Sequence, residues 1–109
     1  MNTELEHLKK MRALLANGWT QYVVARDNNG DPVEPNSPDA TYFCLIGASN
    51  RVAPSHEIGR RALRRMVVAI LEQTGSLINL SKWNDDPKRT HAEVLALVDR
   101  AIEIAEAEQ

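Results

Sequence analysis

The chain has 109 residues, a net charge of −2 at pH 7, a hydrophobic share of 43% and a charged share of 26%. One domain spanning 1–109 is expected, and burial of roughly 65% of the unfolded surface makes metal or disulfide staples unnecessary. The slightly acidic balance argues against general nucleic-acid affinity, and the lone Cys44 excludes an internal disulfide and a four-thiolate zinc site.

The opening MNTELEHLKKMRALL mixes acids and bases and lacks the apolar run of a signal peptide. It reads as helix one, from about Asn2 to Asn17, with Thr3 and Glu6 as a capping box and Gly18 as the stop. Leu5, Leu8, Met11, Leu14 and Leu15 carry the helical period, and Trp19 should fold back on the core. In TQYVVARDNNGDPVEP, Tyr22, Val23 and Val24 favour extended structure, and Asn28-Asn29-Gly30 is turn chemistry. The expectation is a small β-hairpin with a poor second arm around Val33.

Helix two is expected from Ser37, with Pro38 at its first position and an apolar centre from Tyr42 to Ala48. Cys44, Gly47 and Ala48 would share a shallow side where another helix approaches closely. Helix three should start after Ser55, end near Thr74 and stop at Gly75, with Ala62, Leu63, Met66, Val67, Ile70 and Leu71 inward. Helix four starts at Thr90, where Thr90 and Glu93 form a capping box. Its stripe is His91, Val94, Leu95, Val98, Ala101, Ile102 and Ala105. The fold class is therefore mainly α: a compact four-helix domain with a small β-hairpin inserted between helices one and two. The longest apolar runs, Tyr42–Ala48 and Met66–Leu71, fall far short of the ~20 residues of a membrane span. A cytoplasmic, reducing location is expected.

The stretch SKWNDDPKRTHAEVL gathers the richest chemistry. Trp83 reads as a plug on the end of the core, or as a ligand-stacking surface. Asn84, Asp85 and Asp86 before Pro87 suit helix capping. Their functional alternative is metal binding or general acid–base work, but no spaced calcium-loop pattern accompanies them. His91, at a helix N-terminus, should be neutral, either as a buried hydrogen-bonded residue or as a base or metal ligand. Cys44, Asp85 and His91 are the weak catalytic candidates. Cys44, placed mid-helix among apolar residues, should be an inert thiol. No metal site and no cofactor are expected, since HxxxH, HExxH, P-loop, GxGxxG and GxSxG patterns are all missing.

Arg60, Arg61, Arg64 and Arg65 cover one side of helix three. They form a solvated face neutralised by acids such as Glu103 or Glu106, or a docking patch for an acidic protein surface or a phosphate-bearing ligand. Glu57 offsets Arg61 one turn away. A homodimer stays open as a partner state; neither a membrane nor nucleic acid is expected to be a partner.

Phe43-Cys44-Leu45-Ile46-Gly47-Ala48 and the later run from Asn84 to Ile102 together resemble a family of small bacterial and phage proteins of unknown function. That pattern has an aromatic–Cys–x–x–Gly–Ala helix, an Asn-Asp loop, an Arg-Thr helix start and a Val-Leu-rich helix. Ala25-Arg26-Asp27 through Pro32-Val33 is similar to a further stretch of it. The chain departs at Phe43, where tryptophan is usual, and at Ser49, where leucine is usual. The resemblance implies a mainly helical fold and carries no activity; phage occurrence favours an accessory role, such as inhibition of a defence system. The leading functional expectation is a non-enzymatic interaction module using the arginine face or the rim of Trp83, Asn84 and Asp86. The alternative is a small enzyme or ligand-binding protein with a pocket near Cys44, Trp83, Asp85 and His91.

Overall fold

A computed structural model describes residues 3–52 and 56–108. Five helices and one small sheet follow in order: α1 (Thr3–Asn17), β1 (Ala25–Arg26), β2 (Tyr42–Phe43), α2 (Leu45–Val52), α3 (His56–Thr74), α4 (Leu80–Asn84) and α5 (His91–Ala107). The chain is mainly helical, as expected, but it has one helix more than four and its sheet is differently placed.

α1, α3 and α5 form the body. Leu8, Met11 and Leu15 of α1, Ala62, Met66 and Ile70 of α3, and Val94, Val98 and Ala101 of α5 are completely buried against one another. Each set recurs at three- and four-residue spacing, which puts it on one helix face. The inward face of α3 includes Gly59 and Ala69, while Leu71 is 40% exposed. The small residues let α3 lie close to its neighbours, so the helix is turned away from the expected Leu71 side. Thr3 is the first residue of α1 rather than its cap, and Ser55, the expected cap of α3, lies outside the described residues. Gly75 ends α3 with a φ of +72°, a left-handed conformation that only glycine adopts freely.

The region expected to be helix two is corrected. Ser37 to Asp39 form a turn, and Tyr42 and Phe43 are a strand that pairs antiparallel with Ala25 and Arg26, Ala25 opposite Phe43. A short all-apolar run has no period to decide its state, and the aromatic pair followed the extended preference of its residue types. Thus the hairpin's second arm is Tyr42–Phe43, not Val33; Val33 donates only one backbone bond, to the Ala25 carbonyl. The long connection between the strands is pinned by side chains. Arg26 donates to Thr20 Oγ1 at 2.7 Å and to the Gly30 carbonyl at 2.9 Å, and Arg51 donates to the Pro35 and Ser37 carbonyls at 2.8 and 2.7 Å.

Gly47 is required by close approach, but to the backbone of Val24, just before β1, and not to a helix. A Cβ there would stand 1.8 Å from the Val24 carbonyl oxygen. That contact presses residues 22–24 onto the start of α2 and sets the position of everything discussed next.

Candidate functional site

α4 begins with Asn79, whose side chain accepts from the amides of Ser81 and Lys82. This turn carries Trp83 and Asn84 inward, 3% and 1% exposed. Asn84 is the hub of the region. Its Oδ1 accepts from Trp19 Nε1 at 2.9 Å and from the Leu45 amide at 3.2 Å. Its Nδ2 donates to the Thr20 carbonyl at 3.2 Å and to Asp85 Oδ1 at 2.9 Å. One buried amide therefore joins the segment after α1, the first turn of α2 and the end of α4. These four bonds give Asn84 a structural task, in line with the structural reading of this stretch, although the task is joining segments rather than capping a helix.

Asp85 Oδ1 also accepts from the Tyr22 amide at 2.9 Å. Tyr22 has a φ of +74°, a sparsely populated conformation for a bulky side chain, and its side chain is largely exposed. Gln21 Nε2 reinforces this crossing by donating to the carbonyls of Asn84 and Asp86 at 3.0 and 2.7 Å. Between the two segments lies an open cavity of about 250 Å³. Val23, Val24 and Ile46, with Tyr22, give it apolar lining, and Ser81, Asn84, Asp85 and the Cys44 thiol give it polar groups.

Cys44 is not mid-helix. It stands immediately before α2, and its Sγ accepts from the Gly47 amide at 3.2 Å in the manner of an N-cap. Burial pushes the thiol pKa up; the backbone N–H groups of Gly47 and Ile46 oppose the rise, and the Asp85 carboxylate adds to it. The protonated thiol is the stable form, so the expectation of an inert cysteine keeps its conclusion with a different geometry.

His91 does not join Cys44. Its ring stacks on Trp19, with centroids 6.0 Å apart, and its Nε2–H donates to the Leu15 carbonyl at 2.6 Å. That carbonyl is one of the last of α1 and has no partner within its own helix, so His91 closes the C-terminus of α1. The pairing on which a cysteine–histidine mechanism rested is thereby removed. Trp83 faces a second groove that shares Asp85 with the cavity, where the Arg89 guanidinium lies over the Trp83 ring at 3.7 Å and Arg89 Nε donates to the Trp83 carbonyl at 2.9 Å. Asp86 caps the next turn by accepting from the Lys88 amide at 2.9 Å. Thr90 and Glu93 form the expected capping box at the start of α5. Among the described residues no group of three potential metal-ligating side chains occurs.

The arginine face divides. Arg65 is held by Glu4 at 2.6 Å and by Glu108, which tie α3 to the start of α1 and the end of α5. The expected neutralising acids, Glu103 and Glu106, are not used; Glu103 pairs with Arg100, which also grips Glu72 at 2.8 Å. Arg61 pairs with Glu57 at 2.6 Å. Arg60 and Arg64 are exposed, and no carboxylate among the described residues pairs with them. Arg61, Arg64 and Arg65, with Glu4, line a shallow depression.

The model of one protein family spans nearly all of these elements, matching residues 1–104. The chain belongs to the family of unknown function DUF6197. No curated protein and no solved structure matches it. For this DUF6197 chain, no helix among the described residues is long and apolar enough to cross a membrane.

Sequence reasoning missed α4, the cap at Cys44 and the role of Tyr22 to Val24. Asn79, followed by an apolar residue and then Ser81, was a usable N-cap signal. Nothing local signalled the cavity, because its lining comes from three separate stretches, residues 22–24, 44–46 and 81–85. His7 was also unmarked: it is 1% exposed, contacts Ser49 Oγ through Nε2 at 3.0 Å, and leaves Nδ1 without a partner.

Proposed function

We propose that this chain is a non-enzymatic interaction module that docks an acidic protein surface on the exposed arginines of α3. One observation carries the reading: Arg60 and Arg64 stand exposed on one helix face, with no carboxylate partner among the described residues, although the chain as a whole is acidic. Like charges one turn apart repel, by about 0.2–0.5 kcal/mol per pair, and an acidic partner relieves that repulsion. Guanidinium groups give planar, two-point contacts to carboxylates, which favours specific docking over diffuse attraction. The loss of the Cys44–His91 pairing supports binding over catalysis. Inhibition of a defence system is the narrower form of this reading, with the inhibited component as the acidic partner.

The test is a titration of ¹⁵N-labelled protein with a glutamate-rich peptide at low salt, and separately with inorganic phosphate. Peptide should shift the amides of Arg60 to Arg65 first, with weaker binding as salt rises. Arg60→Glu with Arg64→Glu should abolish the response and leave the melting curve unchanged. Retained peptide binding by the folded double variant refutes the docking patch, and a response to phosphate alone refutes the acidic protein partner.

A further inference from the structure

We propose that the cavity beside Asp85 binds a small organic primary amine, with its ammonium on the Asp85 carboxylate and its short apolar chain against Val23, Val24 and Ile46. This site is independent of the arginine face and is argued from shape and charge together. The cavity measures about 250 Å³ and is lined in part by those three aliphatic residues. Such a volume is below the roughly 300–1,000 Å³ of pockets for drug-sized ligands, so the occupant is small. Its apolar wall selects a hydrocarbon body, since a fully polar molecule would lose water there without compensation.

Asp85 supplies the charge. It is half-buried, and among the described residues no lysine, arginine or histidine forms an ion pair with it. Its Oδ1 is fixed by two donors, the Tyr22 amide and Asn84 Nδ2, both at 2.9 Å. A carboxylate accepts at both oxygens, so Oδ2 remains for a ligand. This arrangement also chooses among cations. A guanidinium binds best across both carboxylate oxygens, and Oδ1 is already doubly engaged; an ammonium is a compact charge that needs a single point. A metal ion would need further ligating side chains, and no group of three such residues occurs among those described. The thiol of Cys44, protonated for the reasons given above, presents no competing negative charge.

The site is also preorganised. Gln21 and Asn84 lock the two sides together, and the Val24 carbonyl is pressed against Gly47, so the carboxylate and the apolar wall are held at fixed separation. A rigid site loses little freedom on binding.

The experiment uses the full chain, ¹⁵N-labelled at pH 7 and constant ionic strength, titrated with n-butylamine, n-butanol and butyrate. Butylamine should give saturable shifts confined to residues 22–24, 44–46 and 81–85, with binding at least tenfold tighter than butanol and none for butyrate. Asp85→Asn, which keeps an acceptor for Tyr22, should weaken the amine at least tenfold. Ser81 is exposed on the cavity edge, and Ser81→Phe should block binding by filling the mouth, which decides the matter if Asp85→Asn does not fold. Arg60→Glu with Arg64→Glu should bind butylamine as the unaltered chain does, so failure of the docking patch would leave this result standing. Absence of saturable shifts, equal affinity for butanol, or undiminished binding in folded Asp85→Asn or Ser81→Phe overturns the proposal.

Discussion

Replacing Asn84 by alanine should be among the most damaging single changes in this chain. The side chain is 1% exposed and makes four hydrogen bonds, two as acceptor and two as donor. A net hydrogen bond contributes about 0.5–1.5 kcal/mol, and a buried donor left unsatisfied costs about 1–3 kcal/mol. Asn84→Ala strands the Trp19 indole N–H and the Leu45 amide away from an acceptor, so a loss of about 3–5 kcal/mol is expected. Against a total stability of about 5–15 kcal/mol, that leaves a marginal fold. Urea unfolding followed by tryptophan fluorescence is the suitable assay, because Trp19 bonds directly to the altered group and Trp83 is its chain neighbour. At a slope of about 1–3 kcal/mol per molar urea, the midpoint should fall by roughly 2 M. Asn84→Asp keeps the acceptor for Trp19 and Leu45 but sets an anion against Asp85 Oδ1 and the Thr20 carbonyl; it should be as unstable as the alanine variant. A loss below about 1 kcal/mol in Asn84→Ala, with Trp19 emission unchanged, would refute the hub described above.

Three further outcomes follow from other contacts. Gly47→Ala puts a methyl group 1.8 Å from the Val24 carbonyl oxygen and should cost at least about 3 kcal/mol or prevent folding; a thermal melt within a few degrees of the original would contradict this. Thr90→Ala removes the side-chain half of a capping box and should cost about 0.5–2 kcal/mol, read as a lower Tm; an unchanged Tm would deny the cap its role. His7 has its pKa lowered from 6.5 by burial and, secondarily, by Lys10. Because the unfolded chain takes up this proton first as pH falls, the His7 contribution is intact above pH 6.5 and declines below it. His7→Gln should therefore lose less stability than the unaltered chain between pH 7.5 and 5.5 in paired urea melts; parallel curves would show that His7 titrates alike in both states.

How much was legible in the sequence depended on whether a signal was local. α3 and α5 could be read because apolar residues recur at helical spacing, and because Gly75 and the Thr90–Glu93 box mark their ends within a few residues. Tyr42 to Ala48 could not be divided into strand and helix, since every position is apolar and the deciding event is pairing of Phe43 with Ala25. The site residues followed the same rule. Thr90 was recognised from its own neighbours, whereas the tasks of Asn84, Asp85 and His91 are set by Trp19, Tyr22 and Leu15, far away in the chain. For Arg65 the sequence suggested neutralising acids on the last helix, Glu103 or Glu106, but the packing of three helices brings Glu4 and Glu108 to it instead.

That last clamp has a practical consequence for handling the molecule. A single guanidinium grips one residue close to the start of the chain and another close to its end, so residues 4 and 108 are spatial neighbours. A short linker between residues 4 and 108, with the backbone opened at the exposed turn of Asn28 to Gly30, would give a circularly permuted form of residues 4–108. By the same geometry, a bulky group attached beside residue 4 or residue 108 crowds the depression formed by Glu4, Arg61 and Arg64. Tags for binding measurements on that face belong in the Asn28–Gly30 turn instead.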